Sequence, residues 1–134
     1  LSHDPNNTFD LIMDECDKLD IKCAFNFISI VNNNSSEKDG CYTIDQIAIK
    51  NLIKKIADRG HEIGIHPSFH SYLSSIQITR EFNQLKNICA QLNIDQNQWG
   101  GRQHYLRWSS PDTFINWEFA ELDYDSTLAF PQTA

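Results

Sequence analysis

The sequence predicts an α/β fold, in which helices alternate along the chain with parallel β-strands. Apolar residues recur with the helical period in four stretches, and each is followed by a segment that favours a strand. Residues 21–30 are almost continuously apolar or β-favouring, which is typical of a strand buried on both faces of a parallel sheet. The 134 residues fit one domain, 1–134, but are few for a closed barrel of alternating strands and helices, which needs about 200 or more. We therefore expect a single domain with an incomplete or distorted (β/α) barrel.

The first helix is expected to begin after Asn7 or Thr8, because either side chain can cap it, and to end near Leu19. Its apolar positions follow the helical period and are expected to face the core: Phe9, Ile12, Met13, Cys16 and Leu19. The strand at 21–30 follows. Its polar residue Asn26 needs a hydrogen-bond partner if the strand is buried.

The next segment, residues 31–43, is rich in Asn, Ser, Asp and Gly and is expected to be a surface loop that borders a binding cleft. A helix is then predicted over 45–59, with one apolar face formed by Ile49, Leu52, Ile53 and Ile56. Gly60 is expected to end this helix. A short strand at 62–65 follows it.

The second half of the chain continues the alternation. A helix is predicted over 76–92, with inward positions Ile78, Phe82, Leu85, Cys89 and Leu92. A strand at 99–106, entered through two glycines, comes before a helix that Ser110 caps and Pro111 begins. This last helix is expected to bury Ile115, Phe119 and Leu122. Further strands are expected at 125–130 and, as a short one, at 1–3.

The charge and composition exclude several classes of partner. The formal net charge is −7 and the basic residues do not cluster, so neither nucleic acid nor an anionic membrane surface is expected to bind. No apolar run approaches the roughly 20 residues of a membrane span. The four cysteines form no CxxC pair and are expected to be reduced core residues: Cys16, Cys23, Cys41 and Cys89. With no secretory signal visible, a cytoplasmic location is favoured.

The most informative motif is a pair of histidines directly after the strand predicted at 62–65. His66 and His70 are four residues apart, and such a pair beyond the carboxyl end of a buried strand can turn two imidazole nitrogens toward one divalent metal ion. The alternative is a loop pair bonded to the backbone. Because sites in parallel sheets collect at the carboxyl ends of the strands, Asp4 and Arg102 are expected to lie near these histidines.

These segments resemble the polysaccharide deacetylase family, whose NodB homology domain is a metal-dependent hydrolase of N-acetylated sugars. Residues 66–70 (HPSFH) are similar to the family motif His-Ser/Thr-x-x-His, with Pro67 in place of Ser or Thr, and they follow a family-like segment at 60–65 (GHEIGI). Residues 100–108 (GGRQHYLRW) and 121–128 (ELDYDSTL) are similar to later segments of a branch found among bacterial surface-polysaccharide genes. The resemblance covers the chain from about Asp4 onward and implies an incomplete or distorted barrel of the NodB type.

The resemblance implies a hydrolase that removes acetyl groups from the N-acetylated sugars of a polysaccharide or glycan precursor. A divalent metal, with zinc as the first choice, would be held by His66, His70 and Asp4. The family's first motif is an Asp-Asp pair, and only one of its two residues has a counterpart in this chain, Asp4. Asp4 would therefore be either the catalytic base or a metal ligand. Arg102 would orient the base carboxylate, and the family's acid-supplying Leu-x-His would lie beyond Ala134.

Further residues are candidates for substrate binding. Trp99, Tyr105 and Trp108 could stack on a sugar ring, because aromatic faces suit its C–H side. Arg107 is a further substrate-binding candidate and the next candidate after Arg102 for the arginine of the site. Packing in the core or at its rim is the alternative for the aromatic residues. His61 is interpreted as structural, and the sequence does not decide a role for His104. A competing hypothesis is a catalytically incomplete deacetylase-like module that binds carbohydrate or a partner protein. The sequence does not indicate an oligomeric state.

Overall fold

Four parallel strands form one sheet in the part of the chain that the computed structural model describes, residues 7–29, 38–40 and 42–128. The strands are β1 (Ala24–Phe27), β2 (Glu62–Ile65), β3 (Gly100–Gly101) and β4 (Tyr124–Asp125). The helices are α1 (Phe9–Lys18), α2 (Ile47–Asp58), α3 (Ser75–Gln91) and α4 (Asp112–Phe119), with 3-10 turns at Ser71–Leu73 and His104–Leu106. The predicted α/β class is confirmed. No helix among the described residues has the length and apolar character to cross a membrane.

The strands lie in the sheet in the order in which they occur along the chain. Helical connections between neighbouring parallel strands are right-handed in nearly all proteins, so successive helices pack on the same face of the sheet. This arrangement is compatible with a Rossmann-like sheet or with part of a barrel. In both architectures the carboxyl ends of the strands form the edge at which binding sites collect.

The hydrophobic core lies between the helices and the sheet face that carries Phe27, Ile63 and Ile65. The register of β1 and β2 pairs Phe27 with Ile65, which places these side chains on one face. All four helices contribute buried residues to this core, among them Met13, Ile53, Ile56, Ile78, Phe82, Leu85, Ile88 and Trp117. Burying one such aliphatic side chain stabilises the fold by about 1.5–3 kcal/mol. The core therefore fixes β1 and β2, and with them the residues that directly follow β2.

The opposite face of the sheet has glycines at its centre. A Cβ atom on Gly64 would lie 2.0 Å from Oδ1 of Asn26, and one on Gly100 would lie 2.4 Å from the ring of Tyr124. The hydroxyl of Tyr124 donates to Glu62 over 3.0 Å, and burial together with this carboxylate raises the pKa of Tyr124. Oδ1 of Asn26 is buried without a hydrogen-bond partner among the described residues, so the predicted partner is not found for this atom.

Several predicted elements are confirmed with small shifts. The helices predicted at 45–59 and 76–92 correspond to α2 and α3, and Gly60 ends the first of them with a φ of 78°. The strand predicted at 62–65 is β2. The strand at 1–3 and most of the loop at 31–43 lie outside the described residues.

The strands predicted at 21–30 and 99–106 contain β1 and β3 but are too long, and the strand predicted at 125–130 shares only Asp125 with β4, which begins one residue earlier. The clearest error is at 99–106, where β3 ends at Gly101 and a 3-10 turn begins at His104. The chain leaves the sheet after Gly101, where Gln103 is completely buried and bonded to other loops. The backbone N–H of Gln103 donates to the hydroxyl of Thr127 over 2.8 Å.

The inward face predicted for α1 is partly wrong. Met13 is fully buried, but Ile12 is 43% exposed and Leu19 is 67% exposed. Acidic residues of α1 instead face the basic end of α2. The ion pairs join Lys55 with Asp10, and Arg59 with Asp14 and Asp17.

The inward face predicted for α4 is also partly wrong, since of its three residues only Leu122 packs against the core. Ile115 is 55% exposed and Phe119 is 64% exposed, whereas Trp117 is 3% exposed. Apolar residues occur on more than one side of this helix, so the period alone could not select the side that packs. The helix begins at Asp112 and no side chain caps it, so the predicted cap at Ser110 is wrong as well.

The described cysteines are free thiols. Cys89 is buried as predicted, whereas Cys16 and Cys23 are half-buried and their sulfur atoms are 2.7 Å apart. Cys41 lies outside the described residues.

Candidate functional site

The candidate site lies at the carboxyl ends of β1, β2 and β3. His66 follows β2 directly, and its backbone N–H donates to the carbonyl of Phe27, the last residue of β1, over 2.9 Å. On the other side, the backbone N–H of Arg102 donates to the carbonyl of Ile65 over 3.0 Å. The backbone of His66 is therefore held between the ends of its two neighbouring strands.

The imidazole of His66 has one nitrogen on the backbone and one directed away from it. Its Nδ1 atom is 2.5 Å from the carbonyl oxygen of Arg102. Because a carbonyl oxygen only accepts, Nδ1 carries the proton and the neutral ring keeps a lone pair on Nε2. Burial lowers the pKa of His66 and outweighs the Arg102 carbonyl, which acts in the opposite direction. The neutral ring is the form that binds metal ions.

The group that meets Nε2 of His66 is the imidazole of His104. The two rings lie edge to face, with Nδ1 of His104 2.8 Å from Nε2 of His66. The other nitrogen of His104, Nε2, is 2.7 Å from the carbonyl oxygen of Lys38. Sequence reasoning left His104 without a role. The signal that could have found it is its position just beyond Gly100 and Gly101, at the end of the strand next to β2.

His70 points elsewhere. Its side chain is exposed and its ring packs edge-on against Phe69, with ring centroids 5.0 Å apart. In the described part of the chain no three His, Cys, Asp or Glu side chains form a group that could hold a metal ion. Asp4 lies outside the described residues, and the ligand set of His66, His70 and Asp4 stays a prediction.

Two buried carboxylates anchor the loop between His66 and His70. Glu81 of α3 is completely buried and accepts hydrogen bonds from the backbone N–H of Ser68, over 2.7 Å, and from the Ser68 hydroxyl. Asp39 is 1% exposed and accepts from the backbone N–H of Phe69 over 2.6 Å. Burial raises the pKa of Glu81, although its hydrogen bonds act against this. The loop is therefore tied to α3 at Ser68 and to Asp39 at Phe69.

Gln103 connects the loops that follow β2, β3 and β4. Its side-chain amide donates to the hydroxyl of Ser71 over 2.9 Å and lies 3.3 Å from the carbonyl oxygen of Ser68. Its backbone N–H donates to Thr127, just after β4. Next to Gln103, the turn that carries His104 has a left-handed backbone at Tyr105, with a φ of 56°. Left-handed conformations of non-glycine residues occur preferentially at functional sites.

Two of the predicted substrate-binding residues, Tyr105 and Arg107, lie together. Tyr105 is 62% exposed and packs edge-on against Phe69 and His104. The guanidinium of Arg107 lies about 4 Å from the ring centroids of both Phe69 and Tyr72 and donates to the Phe69 carbonyl. Tyr105 and Arg107 thus belong to one aromatic cluster beside His104.

The other predicted residues have different surroundings. Trp108 packs edge-on against Phe114, and its indole nitrogen is buried without a hydrogen-bond partner among the described residues. Arg102 is exposed, and its Nε donates to the carbonyl of Ser126 over 3.0 Å. His61 is buried at the opposite end of β2, as its structural interpretation requires.

A cavity of about 530 Å³ extends from His66 along β1. Its walls are mostly apolar, with Asn26 and Tyr42 as further polar groups. A volume of this size is typical of a small-molecule site, which combines apolar walls with a few polar groups.

Comparisons of the chain with models of protein families, with curated proteins and with solved structures gave no match.

Proposed function

We propose that the chain is a metal-dependent hydrolase that removes acetyl groups from N-acetylated sugars of a polysaccharide or glycan precursor. The motif resemblance at 60–70 and 100–108 suggests this activity. The observation that carries it is the position and orientation of His66 at the carboxyl end of β2, with Nδ1 donating to a backbone carbonyl and Nε2 directed away from the backbone, toward the ring of His104. The consecutive strand order supports, as part of the same proposal, an incomplete barrel of the NodB type.

The surroundings of His66 fit a zinc ligand. Metal-binding histidines usually donate their second N–H to a carbonyl or carboxylate, which fixes the tautomer and orients the ring. The Arg102 carbonyl has this role for His66. On the strength of the motif, Asp4 and His70 would be further ligands, and the ring of His70 would have to turn from Phe69 toward His66. When bound, zinc would polarise the acetyl carbonyl and lower the pKa of a water molecule toward about 7.

The chain's own residues would bind the sugar and move the protons. If Asp4 is the base and not a ligand, it would accept a proton from the attacking water and return it to the leaving amine, and the guanidinium of Arg102 would orient that carboxylate. Tyr105 presents an exposed ring that can stack on the apolar face of a sugar. Arg107 would contribute by holding Phe69, against which Tyr105 packs.

The second candidate function is carbohydrate binding without hydrolysis. The exposed ring of Tyr105 favours it, because an aromatic platform supported by Phe69 and Arg107 is sufficient to bind a sugar. The two functions differ in whether acetate is released.

The test combines zinc content with acetate release from N-acetylglucosamine oligosaccharides. The zinc-loaded chain should hold stoichiometric zinc and release acetate, and His66→Ala should lose both. The matched control is His61→Gln, a histidine at the other end of β2, which should retain both. Oligosaccharide binding without acetate release would support the second function and overturn the first, and a chain that cannot be loaded with zinc would also overturn it.

A further inference from the structure

We infer that His104 supplies a second imidazole ligand to the metal site, through Nδ1 and opposite Nε2 of His66. This inference rests on the proposed metal-dependent function and names a ligand that the motif resemblance does not include. It assigns the loop after β3, as well as the loop after β2, to metal binding.

The outer nitrogen of each ring carries the hydrogen atom. Nδ1 of His66 is 2.5 Å from the Arg102 carbonyl, and Nε2 of His104 is 2.7 Å from the Lys38 carbonyl. Carbonyl oxygens only accept, so each outer nitrogen carries its ring's proton when the ring is neutral. The two inner nitrogens then direct their lone pairs at each other across 2.8 Å. Two lone pairs at that distance repel unless a cation lies between them.

A metal ion fits this geometry after a small movement. Zinc binds imidazole nitrogens at about 2.0–2.1 Å, so two such nitrogens on one tetrahedral ion lie about 3.3 Å apart. The rings would need to separate by about 0.5 Å from their present 2.8 Å. Both outer nitrogens are already bonded to backbone carbonyls, which is the usual outer-shell arrangement of a metal-bound histidine.

His104 is better placed than His70 to bind the same metal ion as His66. The ring of His70 is exposed and packs against Phe69, whereas the ring of His104 is half-buried and contacts His66 itself. The backbone N–H of His104 also donates to the Pro67 carbonyl over 3.3 Å, which joins the two histidine loops. We therefore expect removal of His104 to weaken metal binding more than removal of His70.

The experiment measures zinc affinity by chelator competition and the visible absorption of the cobalt-substituted chain, neither of which needs catalytic activity. The variants are His66→Ala, His104→Gln and His70→Ala, with His61→Gln as control. Glutamine at 104 can still donate to the Lys38 carbonyl but has no imidazole lone pair, so it removes the ligand while preserving the turn. Far-UV circular dichroism checks that each variant is folded.

The expected result is a loss of zinc affinity of about a hundredfold or more in both His66→Ala and His104→Gln, with altered cobalt bands. An affinity for His104→Gln within about threefold of the unmodified chain, alongside a loss in His66→Ala, would overturn the inference and leave the proposed function intact. Failure of the unmodified chain to bind zinc would overturn both. In that case the rings share a proton.

Discussion

Replacing Glu81 by alanine is expected to destabilise the domain by about 2–4 kcal/mol and to loosen the loop that carries the histidines. The carboxylate is completely buried and accepts from the N–H and hydroxyl of Ser68 and from the side chain of Gln77. The hydroxyl and the Gln77 amide can turn to water. The Ser68 N–H is fixed by the backbone, and its lost partner accounts for about 1–3 kcal/mol. The cavity left by the side chain adds to this cost, whereas removing a buried charge offsets part of it.

Glu81→Gln separates the charge of this side chain from its volume. Burial raises the pKa of Glu81 above its ordinary value of 4.5, so the folded state holds the proton more tightly than the unfolded state does. The resulting stabilisation is complete below about pH 4.5 and is lost as the pH rises through the higher folded-state pKa. The glutamine variant lacks this dependence. The unmodified chain should therefore gain stability relative to Glu81→Gln as the pH falls from about 7 to about 4.

Urea unfolding followed by tryptophan fluorescence measures both effects. Asn83→Ala, on an exposed position of the same helix, is the control and should change stability by less than about 0.5 kcal/mol. A cost below about 1 kcal/mol for Glu81→Ala would refute the assigned hydrogen bonding. A difference between the unmodified chain and Glu81→Gln that does not change with pH would refute the raised pKa.

Two further predictions concern the sheet and the thiols. Gly101→Ala should cost more than about 3 kcal/mol in urea unfolding, because its Cβ would lie 1.9 Å from the Ile65 carbonyl oxygen. Gly60→Ala, with a φ of 78° but no atom within 4 Å of its Cβ, should cost only about 1–2 kcal/mol, and equal costs would contradict the close contact between β2 and β3. Burial raises the pKa of Cys23 and of Cys89 to about 11, so iodoacetamide should label both slowly at about pH 8 and about tenfold faster per pH unit above it. Mass spectrometry of the labelled peptides measures this, and labelling as fast as in urea would argue against burial of the thiols.

The parts of the fold that could be predicted are those in which one local signal is decisive. β2 was predicted with the correct bounds because a short apolar segment follows Gly60, a residue that ends a helix by adopting a positive φ. The side of α4 that packs could not be predicted, because Trp117 competes with Ile115 and Phe119 on other sides of the helix. Tertiary packing selects among such faces.

The candidate site was predicted in part for the same reason. His66 was recognisable because it directly follows β2, a strand that its local sequence is sufficient to predict. His104 was not, because the strand predicted at 99–106 placed it inside a strand, whereas β3 ends at Gly101 and His104 lies in the 3-10 turn that follows. The meeting of His66 and His104 depends on the pairing of β2 with β3, which is a property of the sheet and has no signature in either segment alone.

The contact between α1 and α2 makes one helix dependent on ionic strength. Within α1, Met13 is fully buried and Phe9 is partly buried against the core, and the helix is also attached through its aspartates to Lys55 and Arg59 on the protein surface. Added salt shortens the range of such attractions from about 10 Å at 0.1 M to about 3 Å at 1 M. α3, with six buried residues, has no comparable dependence. Rising salt would therefore weaken the attachment of the first helix of the chain more than it weakens the sheet and its histidine loops.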